Sequence, residues 1–255
     1  MNKQTGIVLI TGATSGIGLE LLRIYHAQGV EIVAHGRSEQ KLAILQDRYP
    51  GLHIVKADLS DPDAVDAMMR DVLNVYPDIR LILNNAAIQE RGILTEDGFD
   101  PDVAQREIAI NLLAPIRICH AFVTKYANSN RSKSRSEPVE LRIVNISSGL
   151  AFFPKTSGAI YCASKAALHS LSQSLRYQLA AAGIPIAVSE VFLPVVDTPM
   201  TKGRKMRKIS ARKAALAIHH GIDTGLDEIY VGKARLIPII SRLSPSLMKS
   251  ILRNG

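Results

Sequence analysis

The chain has 255 residues, of which 47% are hydrophobic, and a formal net charge of +8. This length favours one large α/β domain whose core needs no disulfide. The two cysteines, Cys119 and Cys162, lack metal-binding or redox spacing, so we expect free thiols, a reducing compartment and no metal site. The N-terminus lacks signal-peptide regions, and no unbroken apolar run reaches the roughly 20 residues of a membrane span. We therefore expect a cytoplasmic protein.

Short apolar runs alternate with helical segments along the chain. The pattern predicts strands at residues 6–11, 30–35, 52–56, 79–84, 141–147, 185–191 and 228–232. It predicts helices at residues 16–28, 39–49, 62–75, 102–126 and 159–182, with the fourth helix bent near Pro115. The strands lack polar–apolar alternation, which indicates a sheet covered on both faces. We predict a single Rossmann-type domain over residues 1–255: a doubly wound parallel sheet of about seven strands in the order 3-2-1-4-5-6-7, with helices on both faces.

A glycine-rich turn (TGATSGIG, residues 11–18) joins the first predicted strand to an amphipathic helix. Gly12 permits the tight turn, Gly16 allows the backbone to approach a pyrophosphate, and Gly18 allows the helix to pack against the strand. Unpaired N–H groups at the helix start favour phosphate. The pattern predicts a dinucleotide site made of Gly12, Thr14, Ser15, Gly16, Ile17 and Gly18. A glycine turn without a ligand is the alternative.

The end of the second predicted strand bears on the choice between NAD and NADP. An acidic residue there accepts the ribose 2′-hydroxyl of NAD, but this chain has Arg37 followed by Ser38. A guanidinium binds a 2′-phosphate through charge-assisted hydrogen bonds, so we predict NADP(H) in preference to NAD(H). Four further residues are predicted near the cofactor, namely Asp58 and Leu59 at the adenine and Asn85 and Ala86 behind the ribose. For Asn84 we favour a structural role between strands.

Tyr161 and Lys165 lie four residues apart on the last predicted helix, so both side chains occupy one face. A phenol has a pKa of ~10, so its phenolate form needs about 4 kcal/mol of stabilisation before the group exchanges a proton near neutral pH. A nearby ammonium has the right sign, although such a pair by itself is usually a packing contact. Ser148, at the end of the fifth strand, is placed to hydrogen-bond a substrate carbonyl. Asn111 within the long helix suggests a local distortion.

Together these motifs resemble the short-chain dehydrogenase/reductase family, in particular its DltE-like branch, over nearly the whole chain. The matching segments are residues 11–18, 58–59, 84–87, 111, 146–148, 161–165 and 193–200. The resemblance implies a catalytic tetrad of Asn111, Ser148, Tyr161 and Lys165. In that tetrad Tyr161 gives the proton to the carbonyl, and Lys165 holds the nicotinamide ribose and lowers the tyrosine pKa. Ser148 orients the carbonyl, and Asn111 holds a water in the relay to Lys165.

The same resemblance extends past the sixth strand. It places Pro194, Val196 and Thr198 at the cofactor, although Val195 replaces the usual glycine. It also implies a substrate lid at about residues 197–213 and a homodimer or homotetramer.

The lid is unusually basic, with cations at Lys202, Arg204, Lys205, Arg207, Lys208, Arg212 and Lys213. A solvated basic face, a site for an anionic or carrier-linked substrate, and contact with an anionic lipid surface all stay open. The apolar and basic tail at about residues 234–255 favours subunit packing over an interfacial helix or a cover for a lipophilic substrate. Nucleic-acid binding is not expected, because no recognition motif accompanies the charge.

The complete tetrad predicts an enzyme. We expect an NADPH-dependent oxidoreductase that reduces a small ketone or aldehyde, or oxidises the alcohol, with Tyr161 as general acid/base. The alternatives are a 3-ketoacyl thioester reductase and a non-catalytic NADP-binding sensor or interaction protein.

Overall fold

Strands and helices alternate from Ile7 to Tyr230 in the computed structural model, which describes residues 6–90, 92–130 and 140–239. The strands are β1 (Ile7–Ile10), β2 (Ile32–Gly36), β3 (His53–Lys56), β4 (Ile79–Asn84), β5 (Leu141–Ser148), β6 (Ile186–Leu193), β7 (Val196–Asp197), β8 (Ile209–Ser210) and β9 (Glu228–Tyr230). The helices are α1 (Gly16–Ala27), α2 (Glu39–Arg48), α3 (Pro62–Val75), α4 (Pro101–Ile108), α5 (Ala114–Asn130), α6 (Ala159–Ala181) and α7 (Ala211–Asp223). Most of the predicted tail, residues 240–255, lies outside the described residues.

One parallel sheet of seven strands runs in the order β3-β2-β1-β4-β5-β6-β9. Its register places Val8 beside Ile32 and Leu83 beside Val144. The short strands β7 and β8 form a separate parallel pair, so β9 is the seventh strand of the sheet. The predicted doubly wound topology is confirmed.

Alternate residues of the strands face two apolar cores, one on each side of the sheet. Leu9 of β1 packs in the core that includes Phe122 of α5, whereas Val8 and Ile10 pack in the core that includes Ile218 of α7. Burying one such side chain fully stabilises a fold by roughly 1.5–3 kcal/mol. The apolar contacts therefore hold a layer of helices against each face of the sheet.

Acidic caps fix two helix starts at the positions that the sequence indicates. The Asp61 carboxylate accepts hydrogen bonds from the N–H groups of Asp63 and Ala64, ahead of α3. Asp100 caps α4 in the same way and is followed by Pro101. Proline suits the first helical turn because its missing N–H has no partner there.

A distortion interrupts the long helix that the sequence predicts at residues 102–126. A π-helical turn at Ala109–Leu113 separates α4 from α5, and the N–H of Ala114 donates to the carbonyl of Ala109. This turn ends two residues before Pro115, near which we predicted a bend. Pro115 lacks the N–H that would bond the carbonyl of Asn111, so the disruption falls in the preceding turn.

The basic lid is shorter than predicted, because helix α7 begins at Ala211 and includes its last residues. We predicted no helix here. Arg212 and Lys213 lie on the exposed side of α7, whereas Ala215 and Ile218 are buried. The helix was not predicted because Arg212 and Lys213, near its start, belong to the basic run that we assigned to the lid.

The segment Pro101–Ala127 is by length and composition apolar enough to cross a membrane, with a mean hydropathy of 1.3. The segment contains no unbroken apolar run of membrane-spanning length, so the sequence pattern did not indicate it. It is the one such segment among the described residues, and its Ile118 and Phe122 side chains are buried in the core of the sheet. A buried helix in a protein core can have the same length and composition as a membrane span.

Candidate active site

The glycine turn lies at the carboxyl end of β1 and has the backbone that its sequence predicts. Gly12 and Gly16 have φ angles of +66° and +56°, which side-chain-bearing residues rarely adopt. A Cβ on Gly18 would lie 2.3 Å from the carbonyl oxygen of Gly12. Gly12 and Gly16 are therefore required by the backbone conformation of the turn, and Gly18 by the close approach of the turn to α1.

The turn is tied to the end of β4 by a hydroxyl and an amide. The Thr11 hydroxyl accepts hydrogen bonds from the N–H groups of Asn85 and Ala86, each at 3.0 Å. In return, the Asn85 side-chain amide donates to the Thr11 carbonyl at 2.9 Å. Asn85 thus holds the glycine turn in place. The interpretation of Asn84 as an inter-strand tie agrees with its 2.9 Å hydrogen bond to Asn145 on β5.

His35 is a second anchor of the turn, which the sequence analysis missed. Its Nδ1 accepts from the N–H of Gly12 at 3.3 Å, and its Nε2 lies 3.1 Å from the carbonyl oxygen of Ala57. Burial lowers the pKa of His35, so the neutral ring donates at Nε2 and accepts at Nδ1. Because its partners are 23 and 22 residues away, no local pattern marks this role.

The start of α1 fits a pyrophosphate. Ser15, which precedes the helix, makes no side-chain capping bond, and the first turn contains no acidic residue. The helix N–H groups and the helix dipole are therefore left for an anion. Gly16 faces the lid, because a Cβ there would lie 3.1 Å from Cγ2 of Thr198. Thr14 and Ile17 are partly buried in this turn.

Arg37 is exposed at the end of β2, beside Asp58. Burial raises the pKa of Asp58, but hydrogen bonds from Ser60 and the charges of Arg106 and Arg37 outweigh it and hold the pKa below its usual value. The Ser38 hydroxyl accepts from the Lys41 N–H and caps α2, which leaves its own proton for donation. Leu59 is buried in the core.

The predicted tetrad comes together at the carboxyl ends of β4 and β5. Tyr161 and Lys165 are both buried near the start of α6, with the Lys165 ammonium 5.7 Å from the phenol ring centre. That ammonium donates to the carbonyl of Ile146 at 2.8 Å. Ser148 ends β5 and interacts with the Tyr161 hydroxyl.

The acid–base balance of this pair differs from the expectation. Burial raises the pKa of Tyr161 to about 12, although hydrogen bonding with Ser148 acts to lower it. Burial also lowers the pKa of Lys165 to about 8, against the charges of Glu190 and Glu107. Desolvation is thus the main cause of both shifts, and it sets the pKa of the buried phenol above its ordinary value.

Asn111 occupies the π-helical turn, which confirms the predicted distortion at this residue. Its side-chain amide donates to the Ile88 carbonyl at 2.8 Å and accepts from the Ile88 N–H at 2.9 Å. It also donates to the Ser164 hydroxyl at 3.3 Å. The side chain is thus committed to the protein backbone, so any contact of Asn111 with a relay water falls to its main-chain carbonyl.

The segment after β6 turns sharply at the other side of the glycine turn. The Thr201 hydroxyl donates to the carbonyl of Val196 at 2.6 Å and accepts from the N–H of Thr198 at 3.2 Å. Val196 is buried, while Pro194 and Thr198 are partly exposed. The carbonyl of Val195 accepts from the N–H of Ile209 at 3.1 Å.

Two buried acids near Lys165 were also missed. Glu107 and Glu190 are 2% and 0% exposed, and each has a carboxyl oxygen without a hydrogen-bond partner in the described part of the chain. Their sequence signal is an acid embedded in an apolar strand or on the buried face of a helix. His169 lies 2.8 Å from Glu190, and hydrogen bonding to that carboxylate raises its pKa.

Comparisons with known proteins agree with this geometry. The family model for short chain dehydrogenases matches residues 6–208. The uncharacterized oxidoreductase DltE of Bacillus subtilis is 33% identical over 235 residues, covering 90% of this chain and 89% of its own. A short chain dehydrogenase from Burkholderia cenocepacia, solved in complex with NADP, is 25% identical with a TM-score of 0.84, and each chain is covered completely.

A short-chain dehydrogenase/reductase from Burkholderia phymatum, solved in complex with NAD, has the same fold at 22% identity. Its TM-score is 0.82, and the match covers 100% of this chain and 98% of the other. The fold and the site thus define a Rossmann-fold oxidoreductase that binds a nicotinamide dinucleotide. The chain belongs to the short-chain dehydrogenase/reductase family, in a DltE-like branch.

Proposed function

We propose that this oxidoreductase uses NADPH to reduce a ketone or an aldehyde, with Tyr161 as the general acid. The observation that carries the proposal is the buried cluster of Tyr161, Lys165 and Ser148, which lies at the same sheet edge as the uncapped start of α1. NADPH, when bound, supplies the hydride.

The residues have separate roles in the proposed reaction. Ser148 hydrogen-bonds the substrate carbonyl oxygen, and Tyr161 donates its proton to that oxygen as negative charge develops. A tyrosine pKa of about 12 keeps the phenol protonated at neutral pH, which suits the reductive direction. Lys165 is held by the Ile146 carbonyl, with further N–H groups left for the ribose hydroxyls.

The choice of NADPH rests on Arg37. Arg37 directly follows β2 and its guanidinium is exposed. An acidic residue at this position would select NAD. The Burkholderia cenocepacia relative was solved with NADP, which supports the same choice. The backbone N–H groups at the start of α1 donate to the pyrophosphate, and Thr198 lies across the turn from them.

A screen of NADPH oxidation over ketones, aldehydes, quinones and acyl thioesters tests the proposal, with the Tyr161→Phe variant run in parallel. We expect turnover of at least one ketone or aldehyde by the wild type and almost none by the variant. Turnover of acyl thioesters alone favours the 3-ketoacyl reductase. Cofactor binding without turnover of any compound favours the sensor.

We also propose a homodimer or homotetramer. Large apolar side chains are exposed on the segment from the π-helical turn to α5 and on α6, with Leu113 at 49% and Tyr177 at 73% of full exposure. Light scattering of the purified chain measures its mass in solution, and a monomer contradicts the proposal.

A further inference from the structure

The basic lid divides into cations that face solvent and cations that do not. Only Arg204 and Lys208 of the set are partly buried in the part of the chain that the structure describes. The Lys208 ammonium donates to the Thr201 carbonyl at 2.6 Å and lies 3.5 Å from the Asp197 carboxylate, so its charge is paired within the lid. Arg204 forms no ion pair with any described residue.

Arg204 instead hydrogen-bonds to a residue in the segment that follows β4. Its guanidinium donates to the side-chain carbonyl of Gln89 at 2.7 Å, 115 residues away in sequence. Gln89 follows β4, directly after the Ile88 backbone that Asn111 holds. The lid is thereby connected to the catalytic edge of the sheet by a neutral partner that leaves the Arg204 charge uncompensated.

A second cation lies at the same place. Lys155 belongs to the loop between β5 and α6, and a Cβ on Gly158 would lie 2.9 Å from its Cε. The same point is 3.2 Å from Nε2 of Gln89. Lys155 and the Gln89–Arg204 pair therefore converge on Gly158, the residue before α6 and three residues before Tyr161.

The electrostatics agree with this convergence. Burial and then the charge of Arg204 lower the pKa of Lys155. Although burial dominates and raises the pKa of Tyr161, the Arg204 charge also acts on that phenol and lowers it. Two cations held near each other in a half-buried place repel one another, and this costs free energy unless an anion lies between them.

A free donor marks the same spot. Nε2 of Gln89 is buried and has no hydrogen-bond partner among the described residues. The first turn of α6 carries no acidic side chain to offset its positive end. An unpaired donor beside two cations is typical of a place that a negatively charged group occupies.

We propose that Arg204 and Lys155 recognise an anionic group on the substrate, so that the enzyme prefers carbonyl compounds bearing a carboxylate or a comparable anion. The anion lies between the two cations and accepts from Gln89, and the carbonyl reaches Tyr161 and Ser148. This inference rests on the proposed reductase activity. It assigns the choice of substrate to two residues outside the tetrad.

The test compares 4-formylbenzoate with its methyl ester, which share one aldehyde and differ in charge. Arg204→Met and Lys155→Met remove one cation each, and Lys205→Met removes an exposed cation of the same lid as the matched control. We expect Arg204→Met to lower kcat/KM for the acid about 10- to 100-fold, as for loss of a charge-assisted pair. The ester, the KM for NADPH and the Lys205→Met variant change by less than about twofold.

Lys155→Met should lower kcat/KM for the acid in the same direction, and rising salt should raise the KM of the acid in the wild type. Equal losses for acid and ester, or an equal loss in Lys205→Met, overturn the proposal while leaving the reductase activity intact. A raised KM for NADPH in Arg204→Met also overturns it, since the cation then serves the cofactor. Melting temperatures of all variants establish that they fold.

Calorimetric titration of 4-formylbenzoate keeps the proposal testable if neither aldehyde is reduced. Lack of turnover of this one pair does not contradict the proposed function, which the wider substrate screen decides. Binding of 4-formylbenzoate that weakens at least about tenfold in Arg204→Met, and is kept in Lys205→Met, supports the anion site. Absence of binding to the wild type overturns it.

Discussion

Ile88 and Gln89 are neighbours in sequence, yet the polar groups around them are treated in opposite ways. The Ile88 backbone is fully bonded by the Asn111 amide, which also bonds Ser164. The Gln89 side chain has a buried nitrogen with no hydrogen-bond partner among the described residues, and its oxygen accepts from a cation. The first cluster is scaffold, because every group is satisfied within the fold. The second cluster contains a donor without a hydrogen-bond partner and charges without ion-pair partners among the described residues, and we propose that a ligand binds there.

Replacing Tyr161 has the largest expected effect, because Tyr161 lies between the cluster around Ile88 and the cluster around Gln89. Tyr161→Phe removes the proton donor and keeps the ring, so we expect kcat for NADPH oxidation to fall about 1,000-fold or more. Tyr177→Phe, an exposed tyrosine on the same helix, is the matched control and should keep full activity. Retention of activity in Tyr161→Phe would place the proton donor elsewhere.

Asn111→Ala tests whether the first cluster is scaffold. The change leaves the N–H and the carbonyl of Ile88 without partners, so we expect the free energy of unfolding to fall by about 2–4 kcal/mol. Denaturant titration measures this loss. Asn74→Ala, at an exposed position of α3, should change it by less than about 0.5 kcal/mol. If both variants are equally stable, the amide contributes to catalysis alone.

Arg37 is the exposed cation that we propose to bind the 2′-phosphate of NADPH. Arg37→Ala should shift the ratio of kcat/KM for NADPH over NADH about 10- to 100-fold towards NADH, with little change in stability. Arg48→Ala, which removes an exposed cation of α2, serves as the control. A wild-type preference for NADH would contradict the assignment before any variant is made.

Glu107 has the smallest expected effect and extends the comparison to pH. Burial and the nearby Glu90 charge raise its pKa from 4.5 to about 7, against hydrogen bonding from the Glu90 backbone and the Lys165 charge. The folded chain thus binds the proton more tightly than the unfolded chain. Stability is therefore lost as pH rises from about 4.5 to 7 and stays lower above that range.

Replacing Glu107 with glutamine removes this loss. Glu107→Gln should raise the free energy of unfolding by about 1–2 kcal/mol at pH 8 and leave it nearly unchanged near pH 4.5. Melting temperatures at both values measure the difference. An equal shift at both pH values would mean that packing, and not the carboxylate charge, accounts for the effect.

Features that depend on a local sequence pattern could be predicted from the sequence. Strand order follows from the alternation of apolar runs and helices, and the glycine turn is identified by three residues that must lack side chains. Contacts between distant segments escaped it, such as His35 with Gly12 and Arg204 with Gln89. Only folding brings these side chains together.

The sign of the Tyr161 pKa shift escaped prediction for a related reason. Charge pairing is evident from a spacing of four residues, but the depth of burial is a property of the whole core. The same holds for the position of the helix distortion, which depends on where the carbonyl opposite Pro115 falls.

The π-helical turn at Ala109–Leu113 sets the rotational phase of the helix before it. Such a turn holds one residue more than an α-helical turn, and one α-helical residue corresponds to about 100° around the axis. Deleting a single residue there would restore α-helical hydrogen bonding and rotate α4 by that angle relative to α5. Glu107 would then leave the small cavity of about 130 Å³ that it lines with Phe99 and Ile160. The extra residue thus keeps Glu107 of α4 directed towards this cavity while α5 packs in the core.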